Sequence, residues 1–357
     1  MTAVAILGAT QTKHSKSRSD ANYMELAFEV VTKLLEETGV KHSEIDTVIT
    51  ASSDFWDGRT ISDIAVQDAV GAAGKSASKV SMDGAFSLVY ASARISSGAF
   101  KNCLVVGHGK ASEGQARKIA NASFDPHYQR PLGIDDHGAL GLQARAYLQE
   151  KNLSPEMLAE TAAQSAHCYA KNPYSHRTTN WTSEAIQKSQ LIADPLHELE
   201  IAPDSDGACA MLLCNEKEAQ KRETTSIWLD GFGFATDVHS LGDRHLGKPS
   251  ILSQVSQQAF RRAGVQDYRE IDIAEVHDAS SAQTLMWKED MGLQNHSHLL
   301  WNPSGGAMGA QPGFATGLVR VAEVYQRLKK GAARTGLAHG MTGFVGQAHC
   351  VWVLRRR

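Results

Sequence analysis

The sequence lacks any apolar run that approaches the roughly 20 residues needed to cross a bilayer. Its start, Met1–Gly8, has no basic residues ahead of a short apolar stretch, so we expect no signal peptide. Lys and Arg total 36 against 39 Asp and Glu, and no long basic stripe interrupts this balance. Such near-neutral charge argues against non-specific nucleic-acid binding. We therefore expect neither a membrane nor a nucleic acid as partner.

Cysteine is also scarce, and its spacing excludes two common uses. The five cysteines are Cys103, Cys168, Cys209, Cys214 and Cys350. They are scattered and odd in number, without a C-x-x-C pair, which favours free thiols in a reducing cytoplasm over a disulfide framework or a metal site such as zinc. The sequence contains neither a Walker loop nor a well-placed G-x-G-x-x-G, so it carries no evident nucleotide-binding loop.

The composition that remains is ordinary for a globular protein. Hydrophobic residues make up 42% and charged residues 21% of 357 residues. A chain of this length can bury a sizeable core and usually divides it between two domains or halves. We expect a cytoplasmic α/β protein.

A succession of helix, glycine and strand occurs twice along the chain. The first copy comprises Asn22–Glu37, Ile45–Ile49, Gly84–Ser97 and Cys103–Gly107. The second copy comprises Ser250–Arg262, Ile273–Val276, Phe314–Leu328 and Cys350–Leu354. Helical periodicity identifies the helices, and short apolar runs identify the strands. Because the copies lie more than 200 residues apart, the pattern indicates a duplicated domain and not a solenoid, whose repeats are about 20–50 residues long.

The segment between the copies has a different composition. It is rich in His, Asn, Ser and Pro, and we interpret it as a partly helical insertion that covers a site. The predicted organisation is a first half formed by residues 1–110 and 204–248, an insertion at 111–203, and a second half at 249–357.

Two short segments place polar residues where an α/β protein often has its site. Ser81 and Asp83 precede a buried helix, whose unpaired N–H groups could support a nucleophile or bind an oxyanion. Either side chain could instead merely cap that helix. His277 and Asp278 follow a strand, a common place for catalytic groups, although a hydrogen-bonded structural histidine fits the local pattern as well.

Glycine-rich segments follow later in the chain. Asn302–Gly317 contains five glycines, which permit positive φ angles and close backbone approach to a ligand. The alternative is an irregular loop before a helix. His339, among the glycines of Gly336–Gly346, could act as an acid or base near neutrality or serve a structural role.

Taken together, these segments resemble the thiolase superfamily. The resemblance rests on the two copies, on Ile95–Gly98 before a buried strand, on Asp204–Ala208, on Val276–Ala279 and on Asn302–Gly317. It is closest to the sterol-carrier-protein-type and archaeal acetoacetyl-CoA thiolases. The resemblance implies an α/β thiolase-like fold with two duplicated α-β-α halves in five layers, an inserted loop domain and a homodimer. It also implies a coenzyme A thioester as substrate, with no tightly bound cofactor.

The resemblance assigns roles to individual residues. Ser81 falls where the family has its nucleophilic cysteine, and Gln311 falls where the family has the histidine that activates that cysteine. His339 fills the second acid/base position, and His277 matches the histidine that helps hold the thioester oxygen through water. The residues expected to contact the substrate or its CoA group are Asn302, Gly305, Gly306 and Gly343.

These replacements leave three functions open. A serine hydroxyl needs a strong base beside it, and a glutamine side chain cannot accept the proton. The first function is Claisen-type acyl transfer or thiolytic cleavage through Ser81. The second is aldol-type cleavage of a β-hydroxyacyl-CoA, with His339 as base and His277 at the oxyanion, and the third is a non-catalytic subunit of an acyl-CoA complex. The insertion offers little basic surface for a CoA nucleotide, and the resemblance to archaeal-type enzymes therefore implies a small zinc-ribbon/OB-fold partner protein.

Overall fold

The computed structural model describes residues 3–222, 226–248 and 251–357. Within these ranges, ten strands form one continuous sheet and two short strands form a separate hairpin. The strands are β1 (Val4–Gln11), β2 (Thr47–Ala51), β3 (Ser76–Val80), β4 (Asn102–Lys110), β5 (Leu191–Ala193), β6 (Leu196–His197), β7 (Asp206–Asn215), β8 (Ile227–Thr236), β9 (Ile273–Glu275), β10 (Leu300–Trp301), β11 (Thr335–Thr342) and β12 (Ala348–Arg356).

The α-helices surround and separate these strands. They are α1 (Tyr23–Thr38), α2 (Asp54–Asp57), α3 (Asp63–Ala69), α4 (Gly84–Ser96), α5 (Ala116–Ser123), α6 (Asp136–Lys151), α7 (Glu156–Tyr169), α8 (Ser183–Gln187), α9 (Glu216–Gln220), α10 (Ile251–Ala263), α11 (Ser281–Asp290), α12 (Gly306–Gly309) and α13 (Thr316–Lys329). Predicted helices correspond to α1, α4, α10 and α13. For α10, the predicted first residue, Ser250, lies outside the described residues.

Local sequence signals account for the bounds of α1. The Asn22 side chain accepts hydrogen bonds from the backbone N–H groups of Met24 and Glu25, and the Glu25 carboxylate accepts one from the Asn22 N–H. This reciprocal capping satisfies donors that the first helical turn leaves unpaired. At the other end, Gly39 adopts the left-handed conformation, with φ of 66°, and stops the helix.

The sheet consists of two halves with the same strand order. The first half runs β3-β2-β4-β7-β1, and the second runs β10-β9-β11-β12-β8. In each half the first three strands are parallel, and the last two join through antiparallel pairs. The halves meet where β1 pairs with β8 through Ala5–Trp228 and Ile6–Ile227. This matching order and direction confirms the predicted duplication.

The helices complete the five predicted layers. Helix α1 packs on the first half and α10 on the second, whereas α4 and α13 each contact strands of both halves. The central position explains why α4 is built from small and apolar residues. A Cβ on Gly84 would lie 2.6 Å from the Leu318 Cβ atom, so α4 can approach α13 closely only because Gly84 has no side chain.

The structure differs from the predicted boundary of the second half. The sequence-based division puts residues 204–248 in the first half, whereas β8 pairs with β12 and so occupies the second half of the sheet. The difference arises because helix–glycine signals identify the repeat. In the second copy β8 precedes the first helix, so these signals do not show that it belongs to the second half. The insertion carries α5 to α8 and the β5–β6 hairpin, between the end of β4 at Lys110 and the start of β7 at Asp206.

All five cysteines are free, and four of them are buried. Among the helices that the structure describes, none combines the length and hydropathy that a bilayer-spanning segment requires.

Two histidines lie side by side in the core on neighbouring strands. His339 on β11 and His349 on β12 are both fully buried, and His339 Nε2 lies 2.9 Å from His349 Nδ1 in a hydrogen bond. Their rings stack with centroids 5.2 Å apart. Burial lowers the pKa of His349 to about 3 and that of His339 well below its usual 6.5. Both rings are therefore neutral at pH 7.

The buried pair predicts a dependence of stability on pH. The unfolded chain binds a proton at position 349 below about pH 6.5, whereas the folded chain does not, so acidification favours unfolding. Replacing His349 with Gln should remove part of this dependence. When the pH falls from 7.5 to 5.5, the free energy of unfolding should decrease less in the variant than in the parent. The difference should be roughly 1 to 2 kcal/mol, as measured by urea denaturation.

The control is His298→Gln, because His298 is exposed and its surroundings change little on unfolding. The control should keep the parent's pH dependence. An unchanged pH dependence in His349→Gln would contradict a neutral, buried His349.

Candidate active site

A cavity of about 470 Å³ lies where the segments preceding α4 and α13 meet the insertion. Both halves of the duplication and the insertion contribute to its wall. Its acidic, basic and histidine lining residues are Asp57, Asp83, His108, Lys110, Glu113, Asp136, His137, Asp204, His239 and His277. The cavity thus gathers acid/base groups at the centre of the fold, and we take it as the candidate active site.

Asp83 joins the central helices of both halves, α4 and α13, at the base of this cavity. As the N-cap of α4, its Oδ1 atom accepts a hydrogen bond of 2.9 Å from the Ala85 N–H, and its Oδ2 accepts one of 2.8 Å from the Gly317 N–H in α13. A Cβ on Gly317 or Gly340 would lie only 1.9 or 2.3 Å from Oδ1. Glycine is therefore required at both positions for the carboxylate to fit.

His277 faces Asp83 across the duplication. Its Nδ1 atom lies 3.6 Å from Asp83 Oδ2 and has no hydrogen-bond partner within the described residues, although the side chain is only 7% exposed. Backbone contacts hold the residue, since its N–H donates to the His339 carbonyl and its carbonyl accepts from Trp287 Nε1. The sequence-predicted His277 is therefore placed in the cavity beside a carboxylate.

Asp278 organises the loop behind His277. Its Oδ2 atom accepts hydrogen bonds from Thr284 Oγ1 and from Asn302 Nδ2, and its Oδ1 accepts one from the Ala307 N–H. Burial raises the pKa of this carboxyl to about 7. Asn302 Oδ1 in turn accepts from the Val276 N–H at 2.6 Å. These contacts fix the backbone on both sides of His277.

The residues predicted to bind substrate separate into two groups. Asn302, Gly305 and Gly306 are buried next to Asp278 or Tyr169, and none of the three belongs to the described cavity wall. Gly343 does line the cavity. Asn302 holds the His277 loop, whereas Gly305 leaves room for Tyr169 and Gly306 for Asp278. The role of all three in substrate binding stays a prediction.

Ser81, the predicted nucleophile, is exposed and lies outside the cavity wall as the described residues form it. Helix α4 begins only at Gly84, so Ser81 precedes its N-cap by two positions. The family resemblance puts the nucleophile at Ser81, yet the side chain that the start of α4 presents to His277 is that of Asp83.

Gln311 and His339 also differ in their placement. Gln311 lines the cavity, and its Oε1 atom is buried without a partner in the described structure. Its backbone is fixed by hydrogen bonds with Pro203 and Ser205. His339 contacts His349 in the core, as described above, and is not part of the described wall. Its catalytic role stays a prediction.

Sequence reasoning missed three polar residues of the wall, namely Asp136, His137 and Asp204. Asp204 is open to the cavity, and the surrounding protein together with the nearby charge of Asp136 raises its pKa to about 6. Burial likewise raises the pKa of Asp136. The available signal was the cluster of His and Asp in an insertion interpreted as covering a site, but no periodic pattern indicated which of these residues face inward.

The thiols are not placed for nucleophilic chemistry. No cysteine lines the cavity among the described residues. Burial raises the pKa of Cys103 and of Cys214 to about 12, and the pKa of Cys350 well above its usual 9. Because the thiolate is the reactive form, these residues are inert. The site is suited to proton transfer.

Comparison with known proteins extends this description. A family model described as "Thiolase, N-terminal domain" matches residues 4–217. An acetyl-CoA acetyltransferase of Methanothermobacter thermautotrophicus is 25% identical, with 97% of each chain covered. Sterol carrier protein 2 of Gallus gallus is 23% identical, covering 95% of this chain and 69% of the relative.

The fold is likewise similar to solved structures. The Ltp2-ChsH2(DUF35) aldolase superposes with a TM-score of 0.80 at 20% identity, covering 99% of this chain and 98% of the other. The family match spans more than half of the sequence and contains α4, the insertion and β7. The chain belongs to the thiolase family.

Proposed function

We propose that this chain is an acyl-CoA enzyme that cleaves the Cα–Cβ bond of a β-hydroxyacyl-CoA, or forms it in reverse, by aldol chemistry. The observation that carries the proposal is the pairing of Asp83 with His277, 3.6 Å apart, at the start of α4. The family resemblance places a nucleophilic thiol in this segment. A carboxylate and an imidazole support proton transfer there, without a covalent acyl enzyme.

In the proposed reaction His277 accepts the proton of the substrate's β-hydroxyl group. The Cβ–O bond becomes a carbonyl, the Cα–Cβ bond breaks, and its electron pair moves onto the thioester oxygen as an enolate. Return of the proton from His277 to Cα then yields an aldehyde or ketone and a shortened acyl-CoA. Asp83 acts as a positioning residue, because its charge stabilises the imidazolium that forms beside it.

This assignment differs from the role given to His339 by the family resemblance. His339 is fully buried, and desolvation lowers its pKa well below 6.5, which weakens it as a base. Its backbone carbonyl accepts a hydrogen bond from the His277 N–H. We therefore assign His339 to the support of His277.

Claisen-type acyl transfer is the second candidate, and the similarity to an acetyl-CoA acetyltransferase favours it. It requires a nucleophile that can reach the thioester carbon. Ser81 is exposed and lies outside the described cavity wall, whereas Asp83 and His277 line it. The geometry therefore supports aldol cleavage better.

The first prediction from the proposed function concerns His277. Changing it to Gln removes the proton acceptor while keeping a polar side chain of similar length. Cleavage of β-hydroxyacyl-CoA thioesters, followed by chromatography of the shortened acyl-CoA, should slow by roughly 100-fold or more. His167→Gln, at an exposed position on α7, is the matched control and should retain parental turnover. Parental turnover in His277→Gln would exclude His277 as the acid/base residue.

The second prediction separates the two enzymatic candidates. Ser81→Ala should leave β-hydroxyacyl-CoA cleavage unchanged, because Ser81 does not reach the cavity. Intact mass spectrometry of the parent after incubation with acetyl-CoA and longer acyl-CoAs should show no acyl adduct. An adduct on Ser81 that disappears in Ser81→Ala would establish acyl transfer in place of aldol cleavage. Absence of both adduct and turnover would favour a non-catalytic subunit.

We also propose that the chain works with a small acyl-CoA-binding protein of the zinc-ribbon/OB-fold type. Among the described residues of the cavity wall, Lys110 is the single lysine, and its ammonium lies 2.5 Å from the buried Asp206 carboxylate. It is thus already paired and ill placed to bind the phosphates of CoA. The similarity to the Ltp2-ChsH2(DUF35) aldolase, whose name includes a second component, is consistent with such a partner.

The partner leads to a third prediction. Affinity capture of the tagged chain from its native host at low salt should recover a second, smaller protein in a constant ratio, together with the chain as a homodimer. Light scattering gives the mass of the captured complex, and added acyl-CoA should increase the yield of the partner. Capture of this chain alone would contradict the proposed partner.

A further inference from the structure

The cavity is acidic beyond what the proposed proton transfer uses. Five carboxylate residues line it, namely Asp57, Asp83, Glu113, Asp136 and Asp204. The lysine of the wall is neutralised by Asp206, and Asp57 lies 3.3 Å from His108. Asp136 and Asp204 have no ion-pair partner within the described part of the chain, and the insertion and its junction with β7 bring them together. The cavity interior therefore carries an excess of negative charge.

The same wall has polar atoms that the protein leaves unpaired. Asp136 Oδ1, His137 Nδ1, Gln311 Oε1 and His277 Nδ1 are buried without hydrogen-bond partners in the described structure, and all four side chains line this cavity. Buried polar groups are normally satisfied, so a molecule bound in this cavity would have to supply these atoms with partners. Carboxylate and amide oxygens accept hydrogen bonds, and the complementary ligand group is therefore a donor.

Asp204 and Gln311 form one continuous part of this wall. Their backbones are joined by a parallel bridge, in which the Gln311 N–H donates to the Pro203 carbonyl and the Ser205 N–H donates to the Gln311 carbonyl. Both side chains therefore project from a rigid backbone on the same side of the cavity. His277 and Asp83 belong to other segments of the wall, so a substrate can contact both groups at once.

We propose that Asp136 and Asp204 make this cavity reject acyl groups that end in a second carboxylate, and that Gln311 adds an acceptor that such a carboxylate cannot satisfy. A second carboxylate meets like charge at Asp136 and Asp204 and finds hydrogen-bond acceptors in place of donors. Like charges in a partly desolvated site repel strongly. This inference rests on the proposed function for its substrate class, and it adds the determinant of acyl-group selectivity.

The test measures equilibrium binding without turnover. Three six-carbon thioesters, hexanoyl-CoA, 3-hydroxyhexanoyl-CoA and hexanedioyl-CoA, are titrated by calorimetry into the full chain carrying His277→Gln, together with any co-purified partner. Hexanedioyl-CoA should bind about tenfold more weakly than hexanoyl-CoA and 3-hydroxyhexanoyl-CoA, whose acyl groups have uncharged ends. Adding Asp136→Asn and Asp204→Asn should bring hexanedioyl-CoA to within about twofold of hexanoyl-CoA, because the repelling charges are gone.

The matched control is Asp68→Asn, a change of the same charge at an exposed position on α3. It should leave the order of the three affinities unchanged. Hexanedioyl-CoA binding as tightly as hexanoyl-CoA, or an undiminished penalty in the Asp136→Asn, Asp204→Asn variant, would overturn the proposal, as would the binding of none of the thioesters. The proposed function fails separately, if the predicted order of affinities is found but the parent chain does not cleave 3-hydroxyhexanoyl-CoA.

Discussion

The carboxylate of Asp83 is the contact on which the site depends. It accepts backbone N–H groups from the first turns of α4 and α13, one helix from each half of the duplication, and it faces His277. The unpaired N–H groups of two helix starts are thereby satisfied by one side chain in the middle layer of the fold. Gly317 and Gly340 have no side chain because this carboxylate occupies the space. The contact between the two central helices and the proposed chemistry therefore both depend on Asp83.

The duplication explains why the cavity lies where it does. Each half supplies five strands of the sheet and one central helix, and the loops that enter those helices converge at the junction. The insertion then covers this point and brings Asp136 and Asp204 to the wall. In the proposed function, the halves provide a rigid base for proton transfer, while the insertion contributes the surface that meets the acyl group. A division of this kind allows selectivity to change without disturbing the contact between α4 and α13.

The sequence predicts the duplicated helices and strands better than it predicts the arrangement of the site residues. Helix–glycine–strand signals were sufficient for the duplication, because caps such as Asn22 and Gly39 act locally. His277 was also predictable, since it follows a strand end in a recognisable motif. The start of α4 at Gly84 was predictable too, with Asp83 as one of two candidate caps. The contacts of Asp83 with Gly317 and His277 were not, because they join segments far apart in the sequence. The burial of His339 depends on His349, a contact between strands that no local pattern reveals.

The most direct test of the central claim is proton exchange at the α-carbon. The chain, with any co-purified partner, is incubated with acetyl-CoA in D₂O, and both the recovered thioester and the protein are examined by mass spectrometry. If His277 and Asp83 support an enolate without a covalent intermediate, deuterium enters the acetyl group and the protein mass stays unchanged. Retention of all three acetyl protons together with an acetylated protein would contradict the account.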